Sequence, residues 1–244
     1  MKDLRCSISN PSSSVHLRYA FGSPPFNLLP NRVVRDKLIS KFTSMGVRIM
    51  ALAVELMVTT SPLIKTYTLE EFWELPDPPD RSKLELIAGV LYMTPPPEQT
   101  HDTSVERLNR LITKDLIATD DKGSLYVPRA AIWTSKRTYL EPDLFYVSAA
   151  LEARLNPKRR TTADLVVEVI SPGSAMYDRT TKKDTYAALG VRELWLVDEQ
   201  AETVEVLKLA GKRYDEGQSF AGDDVILSAV LPRVTFTAAQ VFTD

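Results

Sequence analysis

The alternation of apolar and polar positions becomes regular near residue 66 and predicts a short helix followed by a hairpin. In TYTLEEFWEL, Thr68 precedes Glu71 by three places, a spacing typical of a capping box at a helix start. The segment PDPPD at 76–80 then ends that helix, because proline cannot continue it. Residues 83–94, KLELIAGVLYMT, alternate around Gly89 and predict two paired strands.

An amphipathic helix and several strands follow. Residues 102–119 place apolar side chains along one helical stripe, formed by Val105, Leu108, Ile112 and Leu116. The remaining segments predict strands at 124–135, 142–148 and 164–171, a polar helix at 178–189, a strand at 192–198, and a hairpin that turns on Ala210 and Gly211. This order predicts one mixed α/β domain with an antiparallel C-terminal extension.

Composition excludes several kinds of site. The 244 residues include one Cys and two His, so neither a disulfide framework nor a cysteine-rich zinc site can form. A metal site would therefore be lined mostly by oxygen, which suits a hard cation such as Mg²⁺ or Mn²⁺. No apolar run reaches the length of a membrane span, and we expect a cytoplasmic protein that does not contact membranes.

The N-terminal part differs from the rest in charge. Residues 1–50 carry eight Lys or Arg against two Asp, a net charge of +6, whereas residues 51–244 carry −8. Residues 1–62 lack a helix or strand period and are interpreted as an irregular basic extension, either disordered or upstream of the true start. A targeting peptide and a basic arm for nucleic acid are the alternatives. Residues 63–244 would form the domain.

Three carboxylates occupy positions where the pattern expects apolar side chains or a strand edge. Asp143 follows Pro142 at a strand start, Glu168 lies inside LVVEVI, and Glu85 lies between leucines. If the strands that carry Asp143 and Glu168 are neighbours, the two carboxylates converge and their repulsion calls for a cation. A divalent metal would supply that cation, and Lys182 or Lys183 on the next helix could add positive charge.

Such a cluster has a chemical use. A hard metal ion on acidic oxygens activates water and offsets the charge that develops on a phosphodiester, so phosphodiester hydrolysis is the reaction class to test first. The alternative for Glu168 is a structural one, in which it faces solvent or pairs with Arg192.

Long stretches of the chain resemble a known family. The segments LELIAGVLYMTPPPEQTH, EPDLFYVS and ADLVVEVISPGSAMYDRTTKKDTYAALGVRELWLVD are similar to the Uma family of restriction endonucleases, a branch of the PD-(D/E)XK nuclease superfamily. The resemblance runs from about Tyr67 to Phe242. It implies a restriction-endonuclease-like core, in which helices flank a mixed sheet, and a magnesium-dependent nuclease site.

The resemblance also implies roles for individual residues. Asp143 and Glu168 match the two acids that hold the metal, and Glu85 matches an earlier acid that acts as a further ligand. The superfamily lysine usually lies two residues after the second acid, where this chain has Ile170. Lys182 on the following helix is the preferred replacement, ahead of Lys183, because its spacing from Asp178 and Tyr186 fits the helix of the family and one face of any helix. His101 matches a histidine that could position phosphate or water.

Substrate contacts are harder to predict. The domain's negative net charge opposes DNA binding, but Lys158, Arg159 and Arg160 in NPKRRTT form a basic loop that we expect near the site, unless it is only a solvated turn. The resulting hypothesis is a metal-dependent DNA endonuclease. Its alternative is a catalytically silent DNA-binding or interaction module with the same fold. A homodimer is expected only by analogy with nucleases that cut both strands.

Overall fold

The computed structural model describes residues 65–80, 82–134, 136–171 and 173–243. The predicted extension at 1–62 lies outside these residues. Among the described helices, none has the length and apolar character needed to cross a lipid bilayer.

Short helices and strands alternate along the described chain. The helices are α1 (Leu69–Trp73), α2 (Gln99–Ala118), α3 (Ala149–Glu152), α4 (Ala175–Tyr177), α5 (Lys183–Ala188) and α6 (Ala239–Phe242), and a π-helical turn (Asp178–Lys182) joins α4 to α5. The strands are β1 (Lys83–Ile87), β2 (Val90–Thr94), β3 (Ser124–Tyr126), β4 (Ile132–Thr134), β5 (Thr138–Leu140), β6 (Leu144–Val147), β7 (Leu165–Ile170), β8 (Glu193–Asp198), β9 (Thr203–Ala210), β10 (Arg213–Tyr214) and β11 (Gln218–Ala221).

These strands form two sheets. The smaller one is antiparallel, with the order β2-β1-β5-β4. The larger one has the order β10-β9-β8-β7-β6-β3, with β11 also paired to β9. Its β7–β8 pair is parallel and its other pairs are antiparallel, so the sheet is mixed, and the C-terminal hairpin extends it. The predicted fold class is confirmed.

Strand β7 lies in the interior of the large sheet and is covered on both faces. Leu165, Val167 and Val169 pack into a core with α2 and the C-terminal segment, and Val166 and Ile170 pack into a second core with α5. Because successive side chains of a strand point to opposite faces, Glu168 faces the second core. Coverage of both faces explains why the segment reads as a nearly continuous apolar run.

Two local predictions are confirmed by hydrogen bonds. Thr68 and Glu71 form a reciprocal capping box at the start of α1. The β1–β2 hairpin turns at Ala88 and Gly89, which have φ angles of 50° and 88°, as a two-residue primed turn requires.

The prediction of one strand at 124–135 was wrong. This segment divides into β3, in the large sheet, and β4, in the small sheet. The break falls at Pro128, which has no N–H for a strand ladder, and at Arg129, whose φ of 76° turns the chain. The three-residue strand β5 was not predicted, because its TYL sequence is too short to show a period.

Candidate active site

Strand pairing places Asp143 beside Glu168. β6 and β7 are antiparallel, with Leu144 opposite Val167, and continuing this register by one residue sets Asp143 opposite Glu168. Directly opposite residues of an antiparallel pair point to the same face with Cβ atoms about 4.5–5.5 Å apart. Both side chains are almost fully buried, Asp143 with 7% and Glu168 with 2% of its surface exposed.

Asp143 is held by one of its two carboxylate oxygens. Its Oδ2 accepts hydrogen bonds from the backbone N–H of Val169 at 2.9 Å and from Nε2 of His101 at 3.2 Å. Its Oδ1 accepts no hydrogen bond from a described residue, and Nζ of Lys83 lies 3.6 Å from it. The carboxylate is therefore oriented on one side and open on the other.

Glu168 is held in the same way. Its Oε1 accepts hydrogen bonds from the hydroxyl of Tyr186 at 2.5 Å and from Nζ of Lys182 at 3.1 Å. Its Oε2 has no hydrogen bond within the part of the chain that the structure describes. The burial of Glu168 is thus compensated by a lysine and a tyrosine on the covering helix, and not by Arg192, which pairs with Asp164.

Lys182 is surrounded by carboxylates. Its Nζ lies 3.1 Å from Oε2 of Glu85, 3.1 Å from Oε1 of Glu168 and 3.3 Å from Oδ1 of Asp178. Asp178 and Lys182 begin and end the π-helical turn, a distortion that recurs at functional sites. Only 3% of the Lys182 side chain is exposed, so its ammonium charge is used within the protein.

Burial and the neighbouring charges shift the pKa values of these groups in different directions. Burial raises the pKa of Glu168 to about 8, against the lowering effect of Lys182. Burial would also raise the pKa of Asp143, but Lys83 and His101 hold it well below its ordinary range. Burial alone would lower the pKa of Lys182, but Glu168 and then Glu85 keep it well above its usual value. The raised pKa of Glu168 shows that the neighbouring cations do not fully offset its burial beside other acids, so a further cation bound there would favour its ionised form.

An open cleft of about 310 Å³ gives access to this cluster. Asp143, Glu168, Lys83 and His101 line it, together with Lys182 and the proline run at 95–97. Burial would lower the pKa of His101, but its hydrogen bond to Asp143 and the negative charges of Asp143 and Glu199 together raise the pKa. The cleft thus presents two incompletely bonded carboxylates between cationic side chains.

The donor set fits a hard divalent ion. In the described part of the chain, no three acidic, imidazole or thiolate groups converge as a complete ligand set. Mg²⁺ needs fewer, because it is commonly held by one or two carboxylates with water and substrate phosphate as the other ligands. Oδ1 of Asp143 and Oε2 of Glu168 are oxygens of this kind.

Glu85 lies in the cluster but away from the cleft. Its Oε1 accepts the backbone N–H of Glu141 at 2.8 Å, and its Oε2 contacts Lys182 at 3.1 Å and the hydroxyl of Tyr177 at 3.5 Å. It is 1% exposed and does not line the cleft. Glu85 was expected to be a metal ligand, but protein groups already contact both of its carboxylate oxygens, so neither oxygen is free for a metal.

The other predicted basic residues, Lys183, Lys158, Arg159 and Arg160, do not line the cleft. Lys183 is absent from the cleft lining, since it follows Lys182 on the helix and points elsewhere. Arg159 lies over the ring of Trp133, and Arg160 over the ring of Tyr126. The loop that carries Lys158, Arg159 and Arg160 precedes the start of β7, and Glu168 lies about 10 Å further along that strand. A contact of this loop with a longer substrate stays a prediction.

Sequence reasoning missed Lys83, and it used Asp178 and Tyr186 only for their spacing from Lys182, without giving either a role in the site. Each had a signal. Lys83 lies two residues before Glu85, on the same face of a predicted strand. Asp178 and Tyr186 lie four residues on either side of Lys182, which places all three on one helical face.

The comparisons with known proteins agree with this fold. The Uma2 family model, described as "Putative restriction endonuclease", matches residues 69–239. A crystal structure from Anabaena variabilis ATCC 29413, described as "a putative nuclease belonging to DUF820", shares the fold with a TM-score of 0.58 and 17% sequence identity, and the match covers 72% of this chain and 97% of that chain. None of the curated proteins matches the sequence. The resemblance found in the sequence is confirmed, and the chain belongs to the Uma2 family.

Proposed function

We propose that this chain is a divalent-metal-dependent endonuclease that hydrolyses phosphodiester bonds in DNA. The observation that carries the proposal is the pairing of Asp143 with Glu168. Each carboxylate is fixed by protein donors at one oxygen, and the other oxygen is left without a hydrogen bond at the same cleft. The description of the family supports the reaction class.

Asp143 and Glu168 would hold Mg²⁺ or Mn²⁺ through these free oxygens. The bound ion would supply an activated water and offset negative charge on the phosphodiester. His101 and the backbone of Val169 orient Asp143, and Tyr186 and Lys182 orient Glu168. This fixed geometry matters because ligands held by such outer contacts bind metal more tightly, commonly by 10–100-fold.

The remaining groups set the electrostatics and the shape of the cleft. Lys182 balances part of the charge of Glu85, Glu168 and Asp178, so that the buried acids can stay close together. Glu85 acts through Lys182 as a positioning residue. The prolines at 95–97 form a stiff wall, because proline restricts its own backbone and that of the preceding residue. A homodimer remains a prediction that rests on analogy.

The test is a cleavage assay with the wild-type protein on supercoiled plasmid and on single-stranded DNA. We expect nicked and shortened products with Mg²⁺ or Mn²⁺ and none with EDTA. Cleavage that persists in EDTA would contradict the metal-dependent mechanism. Binding of DNA without cleavage at any metal concentration would contradict the enzyme and favour the silent module.

A further inference from the structure

The two lysines of the site differ in their access to the cleft. The side chain of Lys182 is 3% exposed, whereas that of Lys83 is 25% exposed. Both line the cleft, but only Lys83 has substantial surface open to it. This difference indicates separate tasks for the two cations.

The ammonium group of Lys182 is already engaged by buried carboxylates. Its Nζ donates a hydrogen bond to Oε1 of Glu168, and the carboxylates of Glu85 and Asp178 lie within 3.3 Å of it as ion pairs. To donate to a substrate, Lys182 would have to break its contact with one of these buried acids, and an unpaired buried charge is costly. Lys182 therefore serves the carboxylates.

Lys83 retains donors for a ligand. Its Nζ donates to the backbone carbonyl of Glu141 at 2.5 Å, and its contact with Oδ1 of Asp143, at 3.6 Å, is too long for a hydrogen bond. Among the described residues it has no other hydrogen-bond acceptor. Two of its three N–H groups thus have no acceptor among the described residues, and the side chain lines the cleft.

The position of Lys83 is also fixed. It begins β1, its bond to the Glu141 carbonyl anchors the end of its side chain, and it neighbours the Asp143 oxygen proposed to hold the metal. A phosphate that approaches Asp143 therefore comes within reach of the Lys83 ammonium. Bonds between an ammonium and a phosphate are charge-assisted and stronger than neutral ones.

We infer that Lys83 is the lysine that contacts the backbone phosphate of a nucleic acid bound in the cleft. The inference rests on the proposed function, which supplies the phosphodiester substrate. In this inference Lys83 contacts the substrate, whereas Lys182 contacts only the buried carboxylates of the protein.

The experiment measures DNA binding without cleavage. Fluorescence anisotropy of a labelled DNA duplex in EDTA, at about 50–200 mM NaCl, gives the slope of log Kobs against log salt concentration. Each phosphate contact contributes about 0.9 to this slope. We expect Lys83→Met to reduce the slope by about 0.9 and to weaken binding about eightfold at ~0.1 M salt, whereas Lys83→Arg keeps the slope.

Lys208→Met is the matched control, because Lys208 is an exposed strand lysine outside the cleft, and it should leave the slope unchanged. Thermal unfolding checks that each variant is folded. An unchanged slope in Lys83→Met would overturn the inference, while cleavage by the wild type would still support the proposed function. A wild type that neither binds nor cleaves DNA would overturn both.

Discussion

The Glu168→Gln variant is expected to lose DNA cleavage by roughly 100-fold or more. Glutamine has nearly the same shape as glutamate, but it removes the negative charge that would hold the metal. Lys182 and Tyr186 can still donate to the remaining amide oxygen, so the fold should persist. Initial rates of plasmid nicking in Mn²⁺ measure the effect.

The melting temperature of Glu168→Gln shows whether its loss of activity is due to unfolding. Burial disfavours the charged form of Glu168, so replacing it with a neutral side chain should not lower the melting temperature by more than about 2 °C. Glu216→Gln, at an exposed position, is the matched control and should cleave like the wild type. Cleavage at the wild-type rate by Glu168→Gln would refute its role.

Lys182→Met should cause the largest loss of stability, about 3–5 kcal/mol, because it leaves a group of buried carboxylates without their cation. The side chain keeps a similar length, so lost packing contributes little. Urea unfolding followed by circular dichroism gives the free energy of unfolding. Cleavage should fall as well, since Glu168 loses one of the two donors that orient it.

A second substitution tests the cause of that loss. Removing one of the uncompensated charges with Glu85→Gln in the Lys182→Met background should recover part of the stability. Lys114→Met, on the exposed face of α2, should unfold at the wild-type urea concentration. If Lys182→Met also unfolded at the wild-type urea concentration, the Lys182 ammonium group would not stabilise the carboxylate cluster.

The large sheet could be predicted because its central strands are buried on both faces. LVVEVI and ELWLVD are short apolar runs between polar boundaries, and such runs identify strands without knowledge of their partners. The small sheet could not be predicted as a unit. β1 and β5 are linked through the Leu86–Tyr139 pair, which joins segments far apart in the chain, and the sequence of β5 shows no period.

The site was predictable where a residue breaks a pattern. Glu168 interrupts an apolar strand and Asp143 follows a proline at a strand start, so both were visible in the sequence. The selection of Lys182 over Lys183 followed from helical spacing, and the structure places Lys182 inside the cluster. The positions of the Arg159 loop and of the Glu85 oxygens depend on tertiary packing, which the sequence pattern does not contain.

A metal shared by Asp143 and Glu168 can be detected as Mn²⁺ binding, followed by the loss of the free-ion signal in electron paramagnetic resonance. We expect one site per chain in the wild type and in Glu216→Gln. We expect binding about 10–100-fold weaker in Asp143→Asn and in Glu168→Gln. Wild-type affinity in both of the latter variants would contradict a metal shared by these two carboxylates.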